Sequence, residues 1–260
     1  MFVLTACFAG KKDKISIKSS TAILPIIKKA AEKFRKSETV VISIDGNGSE
    51  NAIIALLNAT CDIAASSYRI SPQKIQEAAE NGRNLKEVII AYDIIIPVVN
   101  PVNTIDNFTK EQLKDIYSGK ISSWKGLGWV DEKIAVISRD SFSGILAAWN
   151  EKIMKRQAIT VAASVEDSNE GVINAVSDNP YAIGYIASAY LNNRLKPSMV
   201  ENFVADVENA RLGKYPLIRE LFVYFDENNI SEKAKKFALF LITAEGQDCV
   251  IKAGYIPLKM

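Results

Sequence analysis

Ile134-Ala135-Val136-Ile137-Ser138-Arg139-Asp140-Ser141-Phe142-Ser143-Gly144-Ile145-Leu146-Ala147-Ala148-Trp149 passes from one periodicity to another along its length. The apolar, β-branched opening at 134–137 predicts a buried strand. Apolar residues at 145, 149 and 153 keep helical spacing, so a helix is expected to follow. The residues between them, Ser138 to Gly144, form a strand-to-helix turn rich in hydroxyls with one fixed cation, Arg139. A helix start presents N–H groups that have no internal partner and carries partial positive charge. Ser141, Ser143 and Gly144 would let an anion approach those groups, and Arg139 can clamp an oxyanion with two parallel bonds. Taken alone, the turn is equally well read as a serine cap beside a solvated arginine.

The same pattern recurs. Ile15-Ser16-Ile17 leads to Ser19-Ser20-Thr21 and then to Ile23, Leu24, Ile27, Ala30, Ala31 and Phe34 at helical spacing, with Pro25 acceptable in a first turn. Val40-Val41-Ile42-Ser43-Ile44 leads to Asp45-Gly46-Asn47-Gly48-Ser49 and a helix over 51–58. Asp62-Ile63-Ala64-Ala65 ends in Ser66-Ser67, where the next helix waits until Ser71-Pro72. Three strand–hydroxyl–helix junctions and one hydroxyl-ended strand predict several helix starts converging on one small anion. Ser20, Ser67 and Ser141 enter the candidate site through this repetition.

With 260 residues the chain can bury a sizeable core, as one large domain or two lobes. A net charge of +2 from 32 basic and 30 acidic residues supplies no concentrated basic face, so no nucleic-acid partner is expected. The chain has no histidine, which removes His-based triads, His metal sites and imidazole acid–base chemistry. No metal site or cofactor motif is expected: Gly46-Asn47-Gly48 is not followed by the Gly-Lys-Ser/Thr of a nucleotide loop.

Strand and helix alternate through the first ninety or so residues: strands at 15–17, 39–44, 62–65 and 87–91, helices at 22–35, 51–58 and 72–80. Alternation of this kind predicts α/β layers on a mainly parallel sheet. The apolar run 88–101 is too long for one ordinary strand, carries Tyr92 and Asp93 near its middle, and is expected to cross into a second lobe. Helices are expected at 109–117 and 171–176, and a strand at 182–186. The segment 215–225 should be the return crossing, followed by helices at 231–243 and 246–253. The resulting division is 15–92 with 213–260 as one lobe and 93–212 as the other.

From about Ile15 to Leu258 the chain resembles the phosphate-binding proteins of bacterial phosphate ABC transporters, which are type II periplasmic binding proteins. The resemblance is carried by Ser20-Thr21 before Leu24-Pro25-Ile26, Gly48-Ser49, Asp62-Ile63-Ala64 with Ser66-Ser67, and Ser118-Gly119-Lys120-Ile121 with Trp124. To these are added Ser138 to Gly144, Asn179-Pro180-Tyr181-Ala182-Ile183-Gly184-Tyr185, and Gly254-Tyr255-Ile256-Pro257-Leu258. It implies a Venus-flytrap fold of two α/β lobes joined by two hinge crossings, a dehydrated phosphate held between them, and delivery to ABC-transporter permease subunits. Carried over by position, Thr21 is implied as a side-chain ligand, Ala22 as a backbone donor and Ser49 as a hydroxyl donor. Arg139, Ser143 and Gly144 are the implied clamp on the far lobe.

The chain departs from the family pattern at four places: Ser19 and Phe142 replace glycines, Ile145 replaces a threonine, and Ser67 stands where some members carry an aspartate that accepts the phosphate proton. A carboxylate there repels sulfate, which has no proton to offer, whereas a serine does not. Asp45, Glu50 and Asp140 are the other candidate acceptors, with Asp140 favoured because it adjoins Arg139. Another tetrahedral oxyanion such as sulfate therefore remains an alternative ligand. A serine-based phosphate-ester enzyme is a further alternative, disfavoured because no base is visible for Ser141 or Ser143 and no Gly-x-Ser-x-Gly elbow occurs. A surface signalling or adhesion module is the third class.

Leu4-Thr5-Ala6-Cys7 fits the processing site of a bacterial lipoprotein, in which the cysteine is lipidated; a chance apolar N-terminus is the alternative. With the lipobox, 1–14 would be a processing remnant and tether, and the protein an exported monomer, periplasmic or anchored at the cell surface through Cys7. Export would permit a Cys61–Cys249 disulfide, and buried free thiols fit the sequence equally well. No later run of 18 apolar residues appears that would span a membrane.

Overall fold

In the computed structural model of the chain, residues 13–155 and 157–258 are described; Cys7 and its expected lipobox lie outside them. The first part of the chain alternates as its periodicity predicts: β1 Asp13–Ser19, α1 Leu24–Phe34, β2 Val40–Gly46, α2 Ser49–Leu57, β3 Ile63–Ser66, α3 Pro72–Glu80 and β4 Leu85–Val99. The middle contributes β5 Asn107–Phe108, α4 Lys110–Ser118, β6 Ala135–Arg139, α5 Gly144–Trp149, β7 Ser164–Glu166, α6 Asn169–Ser177, β8 Ala182–Ala187, β9 Lys196–Pro197, β10 Met199–Val200 and α7 Val207–Arg211. The chain returns through β11 Ile218–Asp226 and ends with α8 Glu232–Phe240 and α9 Ala244–Lys252.

The main sheet runs β2-β1-β3-β11-β4-β8-β6-β7, with β9 added beside β4. β1 pairs in parallel with both β2 and β3, in a register that sets Ser19 opposite Gly46 and Ala65. The C-terminal ends of three parallel strands thus finish level, and the hydroxyl-rich junctions follow from there. Open α/β sheets bind ligands at this edge.

The strand expected at 87–91 and the crossing expected at 88–101 are one 15-residue strand, β4. Its first part, Leu85 to Ile94, is antiparallel to β11, whereas Ile95 to Val99 pair with β8. The partner changes between Ile94 and Ile95, so one continuous strand serves both lobes. β11 pairs with β3 and β4 and contains a bulge between Leu221 and Phe222, a feature that bends and twists a strand locally.

Each lobe has its own apolar core. Ile15, Ile27, Phe34, Leu221 and Phe237 belong to one, with a satellite around Ile53, Leu56 and Phe222 on the other face of the same sheet. Tyr117, Trp124, Trp149, Tyr185 and Leu217 belong to the second. Trp149 stacks on Tyr185 with ring centroids 4.2 Å apart, packing the end of α5 onto β8. The helix after Gly144 is regular only to Trp149; Asn150–Met154 widen into a π turn, which still buries Ile153. Cys61 and Cys249 are buried free thiols. Among the described residues no helix is long and apolar enough to cross a membrane.

Candidate functional site

The junctions meet where the two lobes touch. At the start of α2, the Ser49 hydroxyl accepts from the Ser67 backbone N–H at 3.1 Å and lies 3.2 Å from the Ser67 hydroxyl. Gly144, from the other lobe, closes directly on this pair. A Cβ at 144 would stand 2.2 Å from Ser67 Oγ and 2.5 Å from Ser49 Oγ, so only glycine allows the approach. Gly48 makes a second contact across the cleft: its φ is +107°, and a Cβ there would meet the Phe142 carbonyl oxygen at 3.0 Å. Glycine alone accepts that backbone geometry readily.

α1 begins at the same place. The Ser20 hydroxyl accepts from Ile23 N at 3.3 Å, and the Ser20 N–H donates to the Ala65 carbonyl of β3 at 2.8 Å. The Thr21 carbonyl accepts from the Tyr190 hydroxyl at 2.7 Å, and the Ala22 carbonyl accepts from the Tyr255 hydroxyl. Two tyrosines distant in sequence therefore hold the loop ahead of α1 by its carbonyls. Sequence spacing does not single them out, although Tyr255 lies within the quoted terminal motif.

Arg139, at the end of β6, is 3% exposed. Its Nε donates to the Glu166 carbonyl at 3.0 Å and its Nη2 to the Asp167 carbonyl at 2.8 Å, while Nη1 is buried with no partner. Burial lowers its pKa and the neighbouring Asp140 carboxylate opposes that shift. A guanidinium held on one edge, with its remaining nitrogen dry and unpaired, is poised for an anionic acceptor.

Ser143 caps α5 by position only, because its hydroxyl accepts no bond from the helix start; its backbone N–H donates to the Asp140 carbonyl at 3.1 Å. Ser141 is exposed in the same turn. Ser20, Ala22, Ser49, Ser67, Arg139, Ser143 and Gly144 are all buried, and Thr21 is half-buried.

The three candidate carboxylates have other partners. Asp45 pairs with Lys18 at 2.6 Å, and Glu50 with Lys74 at 2.6 Å and with the Tyr68 hydroxyl. Asp140 accepts the Phe142 N–H on Oδ1 at 2.8 Å and sets Oδ2 3.7 Å from Arg139 Nη2. Ser67 presents its hydroxyl and its backbone N–H at the contact, and no carboxylate.

A two-lobed α/β binding protein, with helix starts and a buried arginine at the lobe contact, is the class that this fold and site define. A family model described as a PBP superfamily domain matches residues 9–245. The crystal structure of a protein described as a phosphate ABC transporter substrate-binding protein from Clostridium perfringens, with bound phosphate, superposes with a TM-score of 0.89 at 32% identity, covering 95% of this chain and 100% of that one. An ABC-type phosphate transport receptor from Vibrio cholerae gives a TM-score of 0.78 at 29% identity, over 93% of this chain and 99% of the other. The phosphate-binding protein PstS of Borreliella burgdorferi is 29% identical over 257 residues, 94% of this chain and 90% of that protein. The chain belongs to the PBP superfamily and, within it, to the family of phosphate ABC transporter substrate-binding proteins.

Proposed function

We propose that this chain binds inorganic phosphate between its two lobes, 15–92 with 213–260 against 93–212, and hands it to the permease subunits of an ABC transporter. Thr21, Ala22, Ser20, Ser49 and Ser67 contribute from one lobe, and Arg139, Ser141, Ser143 and Gly144 from the other. The observation that carries the proposal is the contact of Gly144 with Ser49 and Ser67, made by the same strand-to-helix junction that holds Arg139 with its Nη1 buried and unpaired. An anion there would be shared by both lobes and would favour the closed form by its differential affinity.

Binding without catalysis fits the hydroxyls, since Ser49 and Ser67 face each other rather than a base. The protein would act as an exported monomer, tethered through a lipid on Cys7, at the outer face of the membrane that holds the permease. Ser67 favours a second ligand, sulfate, because a hydroxyl raises no charge barrier against it. Calorimetry with phosphate, arsenate and sulfate on one sample tests the proposal, alongside a phosphatase assay on the same preparation. Tight phosphate and arsenate binding without ester hydrolysis is expected. Tighter binding of sulfate would transfer the protein to that ligand, and turnover of an ester would make it an enzyme.

A further inference from the structure

Arg219 is a second buried cation, outside the set of residues assigned above. It lies on β11 directly opposite Asp93 of β4, at the level where the strands leave one lobe for the other. Its Nε and Nη2 donate to Asp93 Oδ2 at 2.9 and 2.6 Å, and Asp93 Oδ1 accepts from the Ser188 N–H and hydroxyl at 3.2 and 3.3 Å. The Asp93 carboxylate is therefore saturated. Arg219 is not: its Nη1 is buried and has no partner.

Arg139 is in the same condition, held by two nitrogens with Nη1 buried and unpaired. The two guanidiniums lie within electrostatic reach, since the charge of Arg219 adds to burial in lowering the Arg139 pKa. Arg219 also lines, together with Ser67, Tyr68 and Ala148, a cavity of about 470 Å³ between the lobes. It thus faces the cleft from the hinge side, next to one of the hydroxyls at the lobe contact. Leaving a charged N–H dry and unpaired is costly unless something occupies it in the working state.

We propose that Arg219 is a further binding and specificity-determining residue of the cleft, its free Nη1 serving a doubly charged tetrahedral oxyanion together with Arg139. This inference rests on the phosphate assignment above. Two guanidiniums match the two charges of a phosphate dianion. Ser67 adds no negative charge to offset them, so the chain can afford a fully dianionic ligand where a carboxylate in that position would oppose it.

The test compares phosphate titrations of the wild type, Asp93→Asn, the neutral pair Asp93→Asn/Arg219→Gln, and Arg219→Lys, each with a thermal melt without phosphate. Asp93→Asn keeps the guanidinium and should bind within about threefold of wild type, whereas the neutral pair should bind about 30-fold more weakly, the scale of a lost charge-assisted bond. Arg219→Lys keeps the hinge ion pair but has no second arm, so it should lose about tenfold or more with an unchanged melt. Binding within threefold of wild type by the neutral pair overturns the inference. Should that variant fail to fold, wild-type affinity in Arg219→Lys overturns it instead. Asp93→Asn weakening phosphate as much as the neutral pair also overturns it, because the pair would then act only as a hinge. A wild type that binds no phosphate overturns the phosphate assignment and this inference with it, while wild-type binding with unaltered variants overturns this inference alone.

Discussion

Two sets of helix starts occur among the described α-helices, and they are built differently. α3, α4, α6, α7, α8 and α9 each begin with a side chain that accepts a backbone N–H: Ser71, Thr109, Ser168, Asp206, Ser231 and Thr243. At the cleft, α1, α2 and α5 begin with Ile23, Gly48 and Ser143 and have no side-chain cap bond. A side-chain cap contributes about 1 kcal/mol to a helix. Three helices forgo it at the contact between the lobes. The donors left open there are what an anion needs, and the contrast explains why hydroxyl-rich junctions alone do not mark a site. Serine and threonine occur at both kinds of start; Ser49 and Ser143 do not cap their own helices, and Ser20 bonds only the Ile23 N–H ahead of α1.

The largest effect should come from the charge at the uncapped set. Arg139→Ala is expected to weaken phosphate binding by about 2–5 kcal/mol, the range for truncating one partner of a buried charged pair. Arg139→Lys should recover only part of that, and near-wild-type affinity in the alanine variant would remove Arg139 from the site. Next comes Gly144→Ala, whose Cβ would overlap the Ser49 and Ser67 hydroxyls. Overpacking of this kind costs about 1–3 kcal/mol. Here the cost should fall on closure, so small-angle scattering with phosphate should show a wild type that contracts and a variant that contracts less.

A paired substitution sharpens the comparison itself. Ser143→Ala removes a hydroxyl that caps nothing, so phosphate affinity should fall by about 1 kcal/mol while the melt without ligand stays unchanged. Ser231→Ala removes a working cap, so stability should fall by about 1 kcal/mol with affinity unchanged. Equal behaviour of the two variants would erase the distinction. The smallest effect is expected from Asp140→Asn. Its Oδ1 acceptor for Phe142 survives the change, so phosphate should bind within about threefold and sulfate discrimination should not move. A marked gain in sulfate affinity would make Asp140 the acceptor that excludes it.

Much of this was legible in the chain. Periodicity placed the early strands and helices, because each buries one face of a regular element, and the hydroxyl junctions marked where those elements end. Short elements such as β5, β9 and β10, of two residues each, carry no periodicity and could not be read. The long run around Asp93 was visible as a crossing, and the carboxylate within it was its one discordant residue besides Tyr92. Its partner is 126 residues away on β11, a distance over which spacing has no force. The same limit hides Tyr190 and Tyr255 behind Thr21 and Ala22, since each acts through its hydroxyl on a backbone carbonyl. The sequence also cannot distinguish a serine that caps from one that does not: Ser143 and Ser231 both precede a helix, and only tertiary packing sets where each hydroxyl points.

Amide chemical shifts during a phosphate titration test the central claim most directly, because they report on each helix start separately. The N–H groups at the starts of α1, α2 and α5, including those of Ala22, Glu50, Gly144 and Ile145, should move downfield as they gain a charged acceptor. Those of Lys74, Ala234 and Gly246, already bonded to Ser71, Ser231 and Thr243, should stay in place. Downfield shifts confined to the capped starts, or absent from the uncapped ones at saturation, would contradict the assignment of the cleft as the anion site.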